Sequence, residues 1–136
     1  MFNKFYRIMK IVQAILQKGE WLLDALKRIG HSMIPTNCIL NKTLTGLGAA
    51  HSEIHSKRSS IIIEPNVPVI LGKLDENETL EAVYAKCTPY NLKKYLQMDI
   101  QYKKIITTPE SFHKIRKAAE ELGINIYKSF FCLFDE

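Results

Sequence analysis

A chain of 136 residues is the length of a single domain, and with 46% apolar and 24% charged residues it can build a core and stay dissolved. That composition excludes a wholly disordered or collagen-like chain. Nineteen Lys and Arg against fourteen Asp and Glu leave a net +5, which suits an acidic partner such as a nucleic acid or nucleotide and equally suits an ordinary basic protein.

In chain order, Phe5, Ile8, Met9, Val12, Ile15 and Leu16 put one apolar stripe on a helix over residues 3–17, with Lys4, Arg7, Lys10 and Gln13 off it and Gly19 as its break. This segment has no small-residue cleavage site after it and no apolar run near the roughly 18 residues of a membrane span, so no membrane partner is expected. A second short helix runs from Glu20 to Ile29 and stops at Gly30. Residues 1–34 read as a helical N-terminal extension, packed on the α/β domain of residues 35–136.

Cys38 to Leu44 is a candidate strand, followed by the turn Gly46-Leu47-Gly48 and a helix over Ala49 to Lys57. Ser60 to Glu64 is an unbroken β-branched run of the kind buried on both faces of a parallel sheet. Pro65 and Pro68 argue against a strand or long helix before Gly72, and Leu74 to Thr79 reads as a charged loop. Ala82 to Lys86 is a short strand. Thr88 then caps a helix that has Pro89 at its first position and reaches Gln97. The device repeats: strand Lys104 to Thr107, cap Thr108, Pro109, then Glu110 at the positive helix end, with Phe112, Ile115, Ala118, Ala119 and Leu122 on one face before Gly123. Ser129 to Phe134 is a last apolar strand that delivers Asp135 and Glu136.

Strands alternating with short helices predict an α/β, three-layer domain around a parallel sheet, in which ligands bind where the carboxyl ends of the strands open into loops. Those loops are 45–50, 64–68, 107–111 and 135–136. The three cysteines, Cys38, Cys87 and Cys132, form no CxxC pair, which indicates reduced thiols in a cytoplasmic setting, with Cys38 and Cys132 in the core.

Three constellations stand in those loops. Thr45-Gly46-Leu47-Gly48-Ala49-Ala50 has the glycines that let backbone N–H groups approach an anion, and is equally a plain strand-to-helix turn. A Walker-type loop would continue with Lys and then Ser or Thr; Ala49 and Ala50 supply neither an ammonium for the phosphates nor a hydroxyl for magnesium. Asp135-Glu136 ends an apolar strand, where the first carboxylate of such a pair holds Mg²⁺ and the second orients the attacking water. Thr108-Pro109-Glu110 can hold a nucleic-acid phosphate or simply cap a helix.

Taken in order, Thr45-Gly46-Leu47-Gly48, then the SIIIEPN segment (60–66), then IITTPESF (105–112), then FCLFDE (131–136), the chain resembles the first RecA-like domain of DEAD/DEAH-type (superfamily-two) helicases over residues 35–136. The resemblance implies a P-loop, RecA-like parallel sheet and a nucleic-acid-dependent ATPase using ATP and Mg²⁺. It assigns Thr45 to Ala50 to nucleotide phosphates, and Glu64, Pro65, Asn66, Thr108, Pro109 and Glu110 to DNA or RNA. Asp135 takes the magnesium ion and Glu136 the attacking water. The altered phosphate loop implies little hydrolysis by the chain alone, leaving a non-catalytic nucleic-acid- or protein-binding module as the alternative. The family places its next strand between the phosphate-loop strand and the acidic strand. A chain ending at the acidic pair would therefore either expose unpaired edges as a piece of a larger helicase-like protein or pair its strands differently.

His51 and His55 lie four apart on a helix with Glu53 between, a superficial metal pattern without a third ligand. His31 and His113 have no candidate partners. The pairs Lys57-Arg58 and Lys103-Lys104 read as solvated charge at the opposite end of the sheet. Lys93, Lys94, Lys114, Arg116 and Lys117 offer a diffuse phosphate-attracting surface.

Overall fold

The computed structural model of the chain describes residues 11–41, 46–77 and 79–135. Four strands, β1 (Ser60–Ile63), β2 (Leu80–Val83), β3 (Lys104–Thr107) and β4 (Phe131–Phe134), form one sheet in the order β2-β3-β1-β4. Every pairing is parallel, with Ile62 opposite Ile106 on one side and Leu133 on the other. The expected α/β, three-layer architecture around a parallel sheet is therefore present.

The β-branched run of β1 explains the layers. Successive side chains alternate between faces. Ile62, Ile106 and Leu133 meet the face covered by α1 (Leu22–Arg28), α2 (Ala49–Ile54) and α3 (Val67–Glu76), through Leu22, Leu26, Ala49, Ala50, Ile54 and Ile70. Ile61, Ile63 and Ile105 meet the opposite face, covered by α4 (Pro89–Gln97), α5 (Phe112–Glu121) and α6 (Ile126–Ser129), through Leu92, Tyr95, Leu96, Ile115, Ala118, Ala119 and Ile126. Each fully buried isoleucine contributes about 1.5–3 kcal/mol, and Ile61, Ile62, Ile105 and Ile106 are all at 0% exposure.

Several elements depart from expectation. Residues 11–17 form no helix, and Ile11 (82%), Val12 (55%) and Ile15 (84%) are exposed; residues 1–10 lie outside the described residues. The chain is tethered there instead by Arg28, which donates to the Ile15 carbonyl at 2.6 Å and pairs with Glu20 at 2.8 Å. No strand forms over residues 38–41: Asn37 just before them takes φ 53°, Ile39 is 91% exposed, and the rest of that candidate strand lies outside the described residues. The two prolines do not prevent a helix: Asn66 caps α3 by accepting from the Val69 N–H at 3.2 Å, with Pro68 in the first turn, and α3 runs through the first half of the expected charged loop, to Glu76. Cys38 is exposed rather than in the core, with its thiol 3.1 Å from the Pro35 carbonyl, while Cys132 is half-buried. Among the described residues no helix is long and apolar enough to cross a membrane.

Candidate functional site

The sheet order decides which loops are neighbours. β3, β1 and β4 lie side by side, and their ladders continue past the strands: the Glu64 N–H donates to the Thr107 carbonyl at 2.8 Å and the Asp135 N–H to the Ile63 carbonyl at 3.0 Å. With strands about 4.8 Å apart, the segments Thr108–Glu110, Glu64–Asn66 and Asp135 form one row along the carboxyl end of the sheet. The helix α2 runs back against β1, because Glu53 near its end receives a 2.5 Å hydrogen bond from Ser60 at the beginning of β1. The start of α2 contacts α1 and the residue before it: Leu47 accepts from Leu22 and Gly48 lies against Trp21, while Ala49 and Ala50 are buried in the core. Thr45 and Glu136 lie outside the described residues.

The chemistry available in the row is uneven. Glu64 is 3% exposed, and its carboxylate lies 4.0 Å from Lys73 of α3, while Pro65 and Asn66 are exposed. Thr108 is 5% exposed and its side chain makes no capping bond to the 3-10 turn Pro109–Ser111, whereas Pro109 and Glu110 face solvent. The exposed parts are therefore Pro65, Asn66, Pro109 and Glu110, with Asp135 half-buried beside them.

The glycine turn is built for packing. Gly48 caps α2 with φ +83°, and a Cβ there would lie 3.2 Å from the Trp21 ring. The Leu47 carbonyl accepts from the first N–H of α1 at 2.9 Å, tying the turn to that helix. Ala49 (4%) and Ala50 (2%) point into the core, so the two positions that would carry an ammonium and a hydroxyl carry buried methyl groups. The donor set of this turn does not fit a magnesium nucleotide.

The structure also assembles a buried charge cluster at the opposite end of the sheet. Glu53 (1% exposed) accepts from Arg58 at 2.9 and 2.6 Å, from Ser56 at 2.9 Å and from Ser60. Lys104 (4% exposed) donates to the Glu53 carbonyl at 2.7 Å, to Ser56 at 2.8 Å and to Ser60 at 3.1 Å. Arg58 also donates to the Ile34 carbonyl at 2.9 Å and lies 3.5 Å over the Phe131 ring. Burial pushes the Glu53 carboxyl up, but hydrogen bonds from Arg58, Ser60 and Ser56 outweigh it and hold the group below the ordinary range. Burial pulls Lys104 down to about 8, with Glu53 opposing the fall. The expectation that Arg58 and Lys104 are solvated charge is thus corrected. The available signal was the position of Lys104 in a strand whose alternation turns it, like Ile106, toward α2.

Beside this cluster runs a groove of about 810 Å³ along α1 and α2, whose walls include Trp21, Leu23, Met33, Ile34, His51 and His55. The two histidine rings lie 4.4 Å apart, tilted by 40°, and no group of three metal-ligating side chains occurs among the described residues.

No family model and no solved structure matches the chain. It is similar to transmembrane and coiled-coil domain-containing protein 3 of Homo sapiens, at 25% identity over 111 residues, which is 82% of this chain and 16% of that protein. The chain thus spans about a sixth of that relative's length, and the likeness carries neither fold nor activity to it.

Proposed function

We propose that the chain is a helicase-like, RecA-like nucleic-acid-binding unit that does not hydrolyse ATP by itself. The observation that carries this is the row along the carboxyl end of the sheet, where the exposed Pro65, Asn66, Pro109 and Glu110 stand next to one another and next to Asp135. Further support is that β4 is an edge strand, paired with β1 on one side and with no described strand on the other, with Phe134 71% exposed. An exposed apolar edge of that kind is a surface on which a further strand can pair, as the resemblance to a helicase-type sheet implies. Buried Ala49 and Ala50 argue against nucleotide turnover by this chain. Reduced cysteines and the basic balance fit a cytoplasmic nucleic-acid partner, DNA or RNA.

The test is a titration of single- and double-stranded oligonucleotides at two salt concentrations, with and without ATP, alongside steady-state phosphate release. The expected outcome is salt-steep binding that nucleotide does not alter, and phosphate release no higher than that of an Asp135→Ala control. Phosphate release above that control would show that the chain turns over nucleotide. The absence of any nucleic-acid binding would overturn the proposal.

A further inference from the structure

Next to β3 in the sheet, on the side away from β1, lies β2, so the loop after β2 and the start of α4 continue the same row by one more position. Lys114 of α5 binds this loop down, donating to the Tyr84 carbonyl at 3.1 Å and the Ala85 carbonyl at 3.3 Å. Beyond it, α4 buries Leu92, Tyr95 and Leu96 and presents Tyr90, Lys93, Lys94, Gln97 and Met98 at spacings i, i+3, i+4, i+7 and i+8. These five residues line a shallow surface cavity of about 360 Å³. Tyr90 is 74% exposed and Met98 48% exposed. Lys93 is paired with Glu121, while Lys94 faces solvent.

We propose that this ridge of α4 is a single-strand nucleic-acid contact in which Tyr90 stacks a base while Lys94 and Gln97 face the adjoining phosphodiester chain. The inference rests on the nucleic-acid reading above and extends its track to a side-chain platform. An exposed tyrosine ring beside a lysine ammonium is the pairing that single strands use, because every base offers a π-face and every linkage a negative charge. Protein interface cores are instead depleted in lysine, so the chemistry of the ridge favours a polyanion.

The experiment titrates the full chain with a fluorescent oligothymidylate and with the same strand carrying abasic sites. Tyr90→Ala is expected to weaken binding to the intact strand roughly tenfold, and Tyr90→Trp to restore it. The abasic strand should bind wild type as weakly as the intact strand binds Tyr90→Ala, and should cost that variant nothing further. Lys94→Gln should lower the salt slope by about one. Equal binding by wild type and Tyr90→Ala, an equal abasic penalty for both, or an unchanged salt slope in Lys94→Gln would overturn the α4 contact while leaving the wider proposal standing. No binding by wild type would end both.

Discussion

The Lys104 ammonium donates to the Glu53 backbone carbonyl at 2.7 Å, joining the start of β3 to the last turn of α2. Through Ser60 and Arg58 the same cluster gathers the start of β1 and the segment around Ile34, so these polar groups hold the amino end of the sheet to the helical layer above it. Removing one member leaves the others buried and charged. Glu53→Ala is therefore expected to cost about 3–5 kcal/mol in urea unfolding, while Ser59→Ala, which removes only the 3.0 Å bond from the Lys103 N–H, costs about 1 kcal/mol.

The cluster also sets a pH dependence. Lys104 titrates near 8 in the folded chain, below its ordinary 10.5, so between these values the unfolded chain binds more protons and stability rises with pH. Burial pushes up the Tyr95 hydroxyl and the Cys87 and Cys132 thiols, which act in the opposite sense from about pH 9 upward, and comparison with Lys104→Met over pH 8 to 9.5 cancels them. Over that window wild type should gain roughly 1–2 kcal/mol relative to Lys104→Met. A difference independent of pH would show that Lys104 is not titrating there.

At the glycine turn, the two glycines are not equivalent. A Cβ added at Gly46 (φ +71°) would meet nothing within 4 Å, whereas one added at Gly48 (φ +83°) would meet the Trp21 ring at 3.2 Å. Gly46→Ala should cost about 1–2 kcal/mol through backbone strain alone. Gly48→Ala should cost more and should shift the Trp21 fluorescence, which Gly46→Ala leaves unchanged.

Thr88 and Thr108 occupy matching Thr-Pro steps but differ in their bonds. Thr88 accepts from the Asn91 N–H at 3.3 Å, and Thr108 makes no such bond. Thr88→Ala is expected to lower stability by about 1 kcal/mol in thermal unfolding.

Much of the fold is legible in the sequence because its signals are local. The runs SIII and KIIT carry β-branched side chains at consecutive positions and are buried on both faces, and Thr88-Pro89 opens α4 as a cap and first helical residue should. The failures have physical causes. The stripe from Phe5 to Leu16 has helical spacing, but over residues 11–17 no surface covers it, and periodicity without packing does not hold a short helix together. Pro65 and Pro68 read as breakers, yet a proline in the first turn costs no hydrogen bond, and Asn66 supplies the cap. The charge cluster was hidden because Glu53, Arg58 and Lys104 come from three separate segments, and a Lys-Lys or Lys-Arg pair looks the same whether solvated or buried. Of the candidate site, the loops were legible from the order of the elements. That Glu64 turns inward toward Lys73 was not, since burial of one carboxylate at a strand end depends on where α3 packs.

The most direct test is photo-cross-linking of a 4-thiothymidine single strand to the full chain, followed by mapping of the labelled peptides. Cross-links should fall on residues 65–66 and 109–110, and on Tyr90, all toward the carboxyl end of the sheet. Cross-links confined to the groove along α1 and α2, or to the surface around Glu53 and Lys104, would contradict a nucleic-acid track across the strand ends.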